Sequence, residues 1–134
     1  MFIASTSALV GGGREMARHL AFGLSGEECA ANWLVKEGYI ILERRFRCQM
    51  GEIDIIARLG RVIIFIEVKA RRSTEYGSPA EAVTWGKQRK LLRTAQLWLQ
   101  QKGLTEAVCR MDVIEVLQQE EAPTIHHIPN AFGM

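Results

Sequence analysis

Residues 62–69 read VIIFIEVK, and this stretch decides what kind of fold the chain can adopt. Side chains alternate between the two faces of a β-strand, so its even-numbered residues form one wholly apolar face. Its odd-numbered residues begin apolar and end in Glu67 and Lys69. A strand that is apolar on both faces is a central strand covered on both sides. The stretch therefore predicts a buried central strand that presents two charged side chains on one face at its carboxyl end.

The preceding stretch supplies a partner for Glu67. If Gly60-Arg61 forms a two-residue hairpin turn, Asp54 lies opposite Glu67 and Ile56 lies opposite Phe65. Directly opposed side chains have Cβ atoms about 4.5–5.5 Å apart, and two carboxylates at that spacing repel each other. Such a pair calls for a compensating cation, and hard oxygen ligands suit Mg²⁺ or Mn²⁺. We therefore expect Asp54 and Glu67 to bind a divalent metal.

Hydrophobic periodicity and helix-capping signals predict the remaining elements, which together with this hairpin form an α/β domain. Capping boxes are predicted at Ser25–Glu28 and Ser78–Glu81, and Gly86 is expected to separate a short turn from the second long helix. In chain order the predicted elements are a helix Gly26–Glu37, strands Tyr39–Arg47, Ile53–Arg58 and Val62–Ala70, a helix Lys87–Lys102, and strands Val108–Leu117 and Thr124–Ile128. This order, α-β-β-β-α-β-β, is typical of an α/β fold with a mixed central sheet flanked by helices.

Glu27 is a candidate third carboxylate for the site. It shares a helix face with Ala30, Ala31 and Leu34, which come three, four and seven residues later, so it points toward the core side. An acidic residue in the first helical turn is also favoured by the helix dipole alone, and both interpretations stay open. Its neighbour Glu28 has a structural role in the capping box.

Composition limits the class of protein. A length of 134 residues with 48% hydrophobic content suits one domain, which we assign to residues 23–134 after a flexible arm of residues 1–22. No apolar run approaches the ~20 residues that cross a bilayer. Three widely spaced cysteines without a C-x-x-C pair argue against a disulfide framework or a zinc cluster, and His126 and His127 are better explained as solvated or packed. We expect a cytoplasmic protein without a membrane span or a small-molecule cofactor.

The basic residues concentrate in the middle of the chain. Residues 44–93 hold 12 basic and 5 acidic residues, a net +7, whereas the rest holds 5 basic and 10 acidic residues, a net −5. Such a block suits a polyanionic partner such as a nucleic acid, although a solvated basic face would give the same pattern. The candidates to contact phosphates are Arg44, Arg45, Arg47, Arg71, Arg72, Lys87 and Lys90.

Several motifs, taken in order, resemble a known pattern. Residues 51–54 (GEID) and 64–69 (IFIEVK) resemble the PD-(D/E)xK nuclease signature, with Ile53 in place of its proline. The wider set resembles the bacterial YraN-like family, a relative of archaeal Holliday-junction resolvases and restriction enzymes. Between about Ser25 and Phe132 that set adds Gly26-Glu27, Arg71-Arg72, Tyr76-Gly77-Ser78-Pro79, Lys87 and Arg110-Met111-Asp112.

The resemblance implies a restriction-endonuclease-like α-β-β-β-α-β core and a metal-dependent endonuclease that hydrolyses phosphodiester bonds in DNA. Asp54 and Glu67 would bind Mg²⁺ or Mn²⁺, Lys69 would position or activate water, and Glu27 would complete the catalytic site. Either Lys87 or Gln88 would face the phosphate. Backbone contacts carry little sequence information, so we expect selection of junctions or other branched or single-stranded DNA.

Other interpretations of these residues stay open. A non-catalytic nucleic-acid-binding module could keep the same fold and basic surface, and a divalent-metal titration would distinguish it. Surface ion pairs, Glu67 with Lys69 or Asp54 with Arg71, would also place charges at strand ends. A docking helix anchored by Trp98 is less favoured, because Trp98 lies on the apolar stripe. The oligomeric state is open, a homodimer included.

Overall fold

Two helices cover opposite faces of a five-stranded sheet in the computed structural model, which describes residues 25–72, 83–119 and 121–133. The predicted α/β class and the order α-β-β-β-α-β-β are confirmed. The expected N-terminal arm and the capping box at Ser78 lie outside the described residues. The elements are α1 (Gly26–Lys36), β1 (Ile40–Cys48), β2 (Gly51–Leu59), β3 (Val62–Arg72), α2 (Trp85–Lys102), β4 (Cys109–Gln118) and β5 (Thr124–Phe132).

The sheet is mixed, as predicted, and β3 is its middle strand. The strand order is β1-β2-β3-β4-β5. Every neighbouring pair is antiparallel except β3 and β4, which are parallel because α2 carries the chain from one end of the sheet back to the other. The middle of β3 is buried on both faces, as its sequence requires.

Each helix closes one apolar layer against the sheet. On the α2 side, Phe65 and Trp98 meet edge to face with ring centroids 5.8 Å apart. On the α1 side, Leu34 packs with Ile64 and Ile66. Trp98 is only 3% exposed, so its predicted place in the core is confirmed. Within the described ranges no helix combines the length and apolarity that a bilayer crossing requires.

Most element ends lie within two residues of the predicted ones, and two of the differences have a clear physical reason. Helix α2 begins at Trp85, because the Thr84 hydroxyl accepts a hydrogen bond from the Lys87 N–H and caps it, so Gly86 lies inside the first turn and the expected break there is wrong. Strand β5 continues past Pro129 to Phe132, not to Ile128. Because β5 is an edge strand, a proline in it leaves no ladder donor missing.

Candidate functional site

Asp54 and Glu67 meet where the β2–β3 hairpin opens. Ile55 pairs with Ile66 and Ile56 with Phe65, which is the predicted register, and Asp54 and Glu67 are the next residues beyond the last pair of the ladder. The main-chain ladder stops there, and the Val68 N–H donates to Asp54 Oδ2 at 2.8 Å instead. Strand β2 therefore turns its Asp54 carboxylate across the hairpin toward β3.

The change in β2 at Asp54 is visible in how its neighbours pack. Ile53 packs in the α2-side cluster, whereas Ile55 packs in the α1-side cluster. Residues two apart on a regular strand share a face, so the alternation is broken at Asp54. Because of this break, the Asp54 side chain does not lie on either face of the sheet as a residue of a regular strand would.

Glu67 is buried and contacts two lysines. Its side chain is 6% exposed, with Lys87 Nζ 2.6 Å and Lys69 Nζ 3.5 Å from Glu67 Oε2. Lys69 comes from the same strand, and Lys87 reaches down from the first turn of α2. The Glu67–Lys69 pair considered from the sequence does form, but around a buried carboxylate. Both lysines remain partly exposed and face the solvent side of the site.

Burial and Glu67 perturb the titration of Asp54. Burial and the neighbouring Glu67 charge raise the pKa of Asp54 to about 7, while the hydrogen bond from the Val68 N–H opposes that rise. The ion pair with Glu67 raises the pKa of Lys87, which therefore stays charged near neutral pH. Near pH 7 the Asp54 carboxyl group is therefore close to the midpoint of its titration.

The donor set of the pair fits a small divalent cation. Among the described residues no three His, Cys, Asp or Glu side chains converge on one point. Mg²⁺ usually takes only one or two protein carboxylates, and fills its remaining positions with water and substrate phosphate. Two hard oxygen donors beside solvent-facing lysines meet that requirement.

Glu27 lies apart from the pair and is held by arginines. Arg44 and Arg45 approach its two oxygens at 2.8 and 2.9 Å, and the Glu27 side chain is 13% exposed. Its charge adds to the rise in the pKa of Asp54, so it lies within electrostatic range of the site without joining it. Glu28 fills the capping box with Ser25, as predicted.

A strained residue brings the two arginines together. Arg45 has φ 54°, in the left-handed region that non-glycine residues rarely adopt. Adjacent residues of a regular strand point to opposite faces, yet Arg44 and Arg45 both reach Glu27. The Arg45 backbone therefore stores strain that directs two guanidinium groups at one carboxylate.

The remaining candidate phosphate contacts differ in how they are engaged. Arg47 pairs with Glu52 at 2.7 Å, and Arg71 pairs with the buried Glu115. Arg72, at the end of β3, is exposed, as is Lys90 on α2. The Gln88 side chain donates to the Val83 carbonyl at 2.9 Å, so Lys87, and not Gln88, faces the carboxylate pair.

A second buried polar cluster, which was not predicted from the sequence, is centred on Asp112. The side chain of Asp112 is 0% exposed and contacts Arg110 at 2.8 Å and His127 at 2.6 Å. The Asn130 N–H donates to it at 2.9 Å. Burial raises the pKa of Asp112, but these hydrogen bonds outweigh burial and lower it below its usual value. An acidic residue inside the apolar run of β4 was the available signal, and His127 is packed, as expected.

Fold and site together define a class of protein: an α/β domain in which two neighbouring strands, β2 and β3, bring together a half-buried and a buried carboxylate beside two lysines. Residues 26–116 match the model of the uncharacterised protein family UPF0102. The chain belongs to this family, which confirms the resemblance to YraN-like proteins.

Relatives of this family cover most of the chain. A UPF0102 protein of Geobacter metallireducens is 47% identical over 114 residues, 85% of this chain and 93% of its own. One of Trichlorobacter lovleyi is 50% identical over 116 residues, 85% of this chain and 91% of its own. One of Clostridium tetani is 50% identical over 114 residues, 84% of this chain and 93% of its own.

Proposed function

We propose that the protein is a metal-dependent endonuclease that hydrolyses phosphodiester bonds in DNA. The observation that carries the proposal is the Asp54–Glu67 pair, in which a half-buried and a buried carboxylate repel each other beside two partly exposed lysines. A structural ion pair does not need a second carboxylate, and the second one costs stability. Perturbed carboxylates in such surroundings are common at catalytic sites.

Each residue of the site has its own role in the proposed reaction. Asp54 and Glu67 would hold Mg²⁺ or Mn²⁺, which when bound polarises a phosphate and lowers the pKa of a water molecule. The Val68 N–H orients Asp54, and Lys87 orients Glu67. Lys69, which keeps 28% of its side-chain surface exposed, is free to turn toward the scissile phosphate and stabilise its added negative charge.

The substrate is inferred from the basic surface. Lysines and arginines around the site contact phosphates, and such contacts position a nucleic acid without reading its sequence. We therefore propose selection by DNA structure, with junctions and other branched or single-stranded forms as the substrate class. Glu27 would contribute once a phosphate displaces it from Arg44 and Arg45.

One observation favours a second candidate, a non-catalytic nucleic-acid-binding module. Lys87 Nζ lies 2.6 Å from Glu67 and already neutralises part of the pair. In such a module Lys87 would serve as the permanent counter-charge, and no metal would bind. Calorimetric titration with Mn²⁺ distinguishes the two candidates: the nuclease binds Mn²⁺ and loses that binding in Asp54→Asn, whereas the module binds none.

The decisive experiment is a cleavage assay on duplex, single-stranded, flapped and four-way DNA with Mg²⁺ or Mn²⁺. Asp54→Asn and Glu67→Gln should each lower the cleavage rate by about 10²–10³-fold, the usual loss when one charge-stabilising group is removed. Glu52→Gln is the matched control, because Glu52 is on the same strand and pairs with Arg47 outside the site. Equal rates for Asp54→Asn and the control would contradict the assignment.

A further inference from the structure

Trp85 is exposed to an unusual degree for a tryptophan. It is the first residue of α2, and at 70% it is the most exposed large hydrophobic residue in the described part of the chain. Tryptophan is normally among the more buried residues. By comparison, Trp98 is 3% exposed and Trp33 packs against His127. Core packing therefore accounts for the other two tryptophans and leaves Trp85 unexplained.

Within the described part of the chain, Arg89 contacts one face of the Trp85 ring. The Arg89 guanidinium carbon lies 4.8 Å from the ring centroid, in a cation–π contact one helical turn along α2. With most of its surface exposed, the ring keeps its other face open to solvent. Arg89 thus fixes the orientation of a flat aromatic surface without covering it.

The surroundings of Trp85 are cationic. Helix α2 carries five basic residues and no acidic residue, and four of the five, Lys87, Arg89, Lys90 and Arg93, lie in its first half. None of the other exposed large hydrophobic residues in the described part of the chain lies on α2. A lone ring among cations is a poor match for an apolar protein surface. Aromatic rings interleaved with basic residues are what proteins use to bind single-stranded nucleic acid.

We propose that Trp85 is a stacking platform for an unpaired base of the DNA strand whose phosphate lies at Asp54 and Glu67. The inference rests on the proposed nuclease function and specifies its substrate. Lys87 contacts Glu67, and Trp85, two residues earlier, lies on another side of the same helical turn. A strand bound at the carboxylates reaches Trp85 by crossing the start of α2. Bases inside a duplex are already stacked on both faces, so only an unpaired base can use the ring.

The test is DNA binding in EDTA, with a fluorescein-labelled oligo-dT and a blunt duplex as probes, followed by anisotropy. Trp85→Ala should weaken binding to the single strand by about ten-fold or more and change binding to the duplex by less than about two-fold. Trp85→Phe keeps a ring and should stay within about three-fold of the wild type on the single strand. Val108→Ala, which truncates another highly exposed residue away from the site, should bind both probes like the wild type.

Tryptophan emission gives a second readout. Adding oligo-dT should quench the emission of the wild type and leave that of Trp85→Phe unchanged, since its remaining tryptophans lie in packed surroundings. Unaltered single-strand binding by Trp85→Ala, or an equal loss on both probes, would overturn the stacking role. These measurements need no metal and no cleavage. A wild type that binds through Trp85 yet cuts no substrate would overturn the nuclease assignment alone.

Discussion

The surroundings of Asp54 have opposing effects on its pKa. Burial and the Glu67 charge raise its pKa to about 7, and the Val68 N–H favours the ionised form that accepts its hydrogen bond. A residue selected only for stability would avoid this conflict, because an amide could accept the same hydrogen bond without charge. The carboxylate therefore costs the fold stability at and above neutral pH, which is typical of a residue kept for binding or chemistry.

The pH dependence of stability follows from the same shift. The folded pKa of Asp54, about 7, lies above its unfolded value of 3.8, so the native state binds the proton more tightly. The resulting stabilisation is complete below about pH 4 and is lost as the pH rises through 7. Asp54→Asn cannot ionise, so its free energy of unfolding should exceed that of the wild type by about 2 kcal/mol more at pH 8 than at pH 4. Urea unfolding at both values measures this, and parallel pH profiles would contradict it.

Arg45 offers a second test at the residue scale. In an ordinary strand valine is preferred over glycine by up to about 1 kcal/mol. At φ 54° a β-branched side chain is strained, whereas glycine is not. We therefore expect Arg45→Gly to be more stable than Arg45→Val by about 1–2 kcal/mol, the reverse of the usual order. Thermal unfolding of the two variants compares them directly, since both lose the same ion pair with Glu27.

At the scale of the elements, the hairpin that carries the site was predictable. Strands β2 and β3 both have a strong apolar pattern, and Gly60, with φ 60°, permits the tight turn that sets their register. The opposition of Asp54 and Glu67 follows from that register alone. Helix α1 was equally predictable from the sequence, because its capping box is a local signal.

Other features depend on contacts that no local pattern encodes. The pairing of Glu27 with Arg44 and Arg45 requires a strained backbone at Arg45, and no sequence pattern predicts that strain. The extension of β5 beyond Pro129 depends on its position at the sheet edge. That Lys87, and not Gln88, contacts Glu67 depends on where α2 begins, which the Thr84 cap sets.

The seating of α1 on the sheet gives a prediction at this scale. A methyl group on Gly26 would lie 2.7 Å from the Ala70 Cβ, too close for two carbons. Replacing glycine by alanine in a helix usually stabilises it by up to about 1 kcal/mol. Here the clash with an atom fixed to the β3 backbone should dominate, and Gly26→Ala should destabilise the protein by about 1–3 kcal/mol.

Ala70→Gly removes the opposing methyl group and supplies the control. The double variant should be more stable than the sum of the single changes predicts, by at least about 1 kcal/mol, when the four proteins are compared by urea unfolding. Additive effects would show that α1 is not seated on Ala70. The result matters for the site, because the next residue of α1 is Glu27.

At the scale of the whole molecule, at least half of the twelve basic residues in the block are paired with carboxylates. Arg44 and Arg45 pair with Glu27, Arg47 with Glu52, and Lys87 with Glu67. A phosphate that recruits one of these groups must replace a carboxylate, and the freed carboxylate attracts a cation, so the net release of cations on binding is smaller. The net charge of +7 for residues 44–93 is therefore larger than the positive charge that is available to contact DNA phosphates.

Lys90 and Arg93 are different, because neither forms an ion pair with a carboxylate of residues 25–72, 83–119 or 121–133. On duplex DNA each phosphate neutralised contributes about −0.9 to the slope of log affinity against log salt concentration. Replacing Lys90 and Arg93 together by alanine should make that slope shallower by about two units. Affinity should fall alike for every DNA sequence, since phosphates carry no sequence information.

Alanine at both Arg45 and Arg47 is the matched comparison, because it removes the same number of positive charges. These side chains are more than half exposed, yet each is already paired with a carboxylate. Their loss should make the salt slope shallower by less than about one unit. Equal slopes for the two double variants would show that the ion pairs open freely on DNA. Binding that ignores salt altogether would show that the basic block is a solvated face and that DNA is held elsewhere.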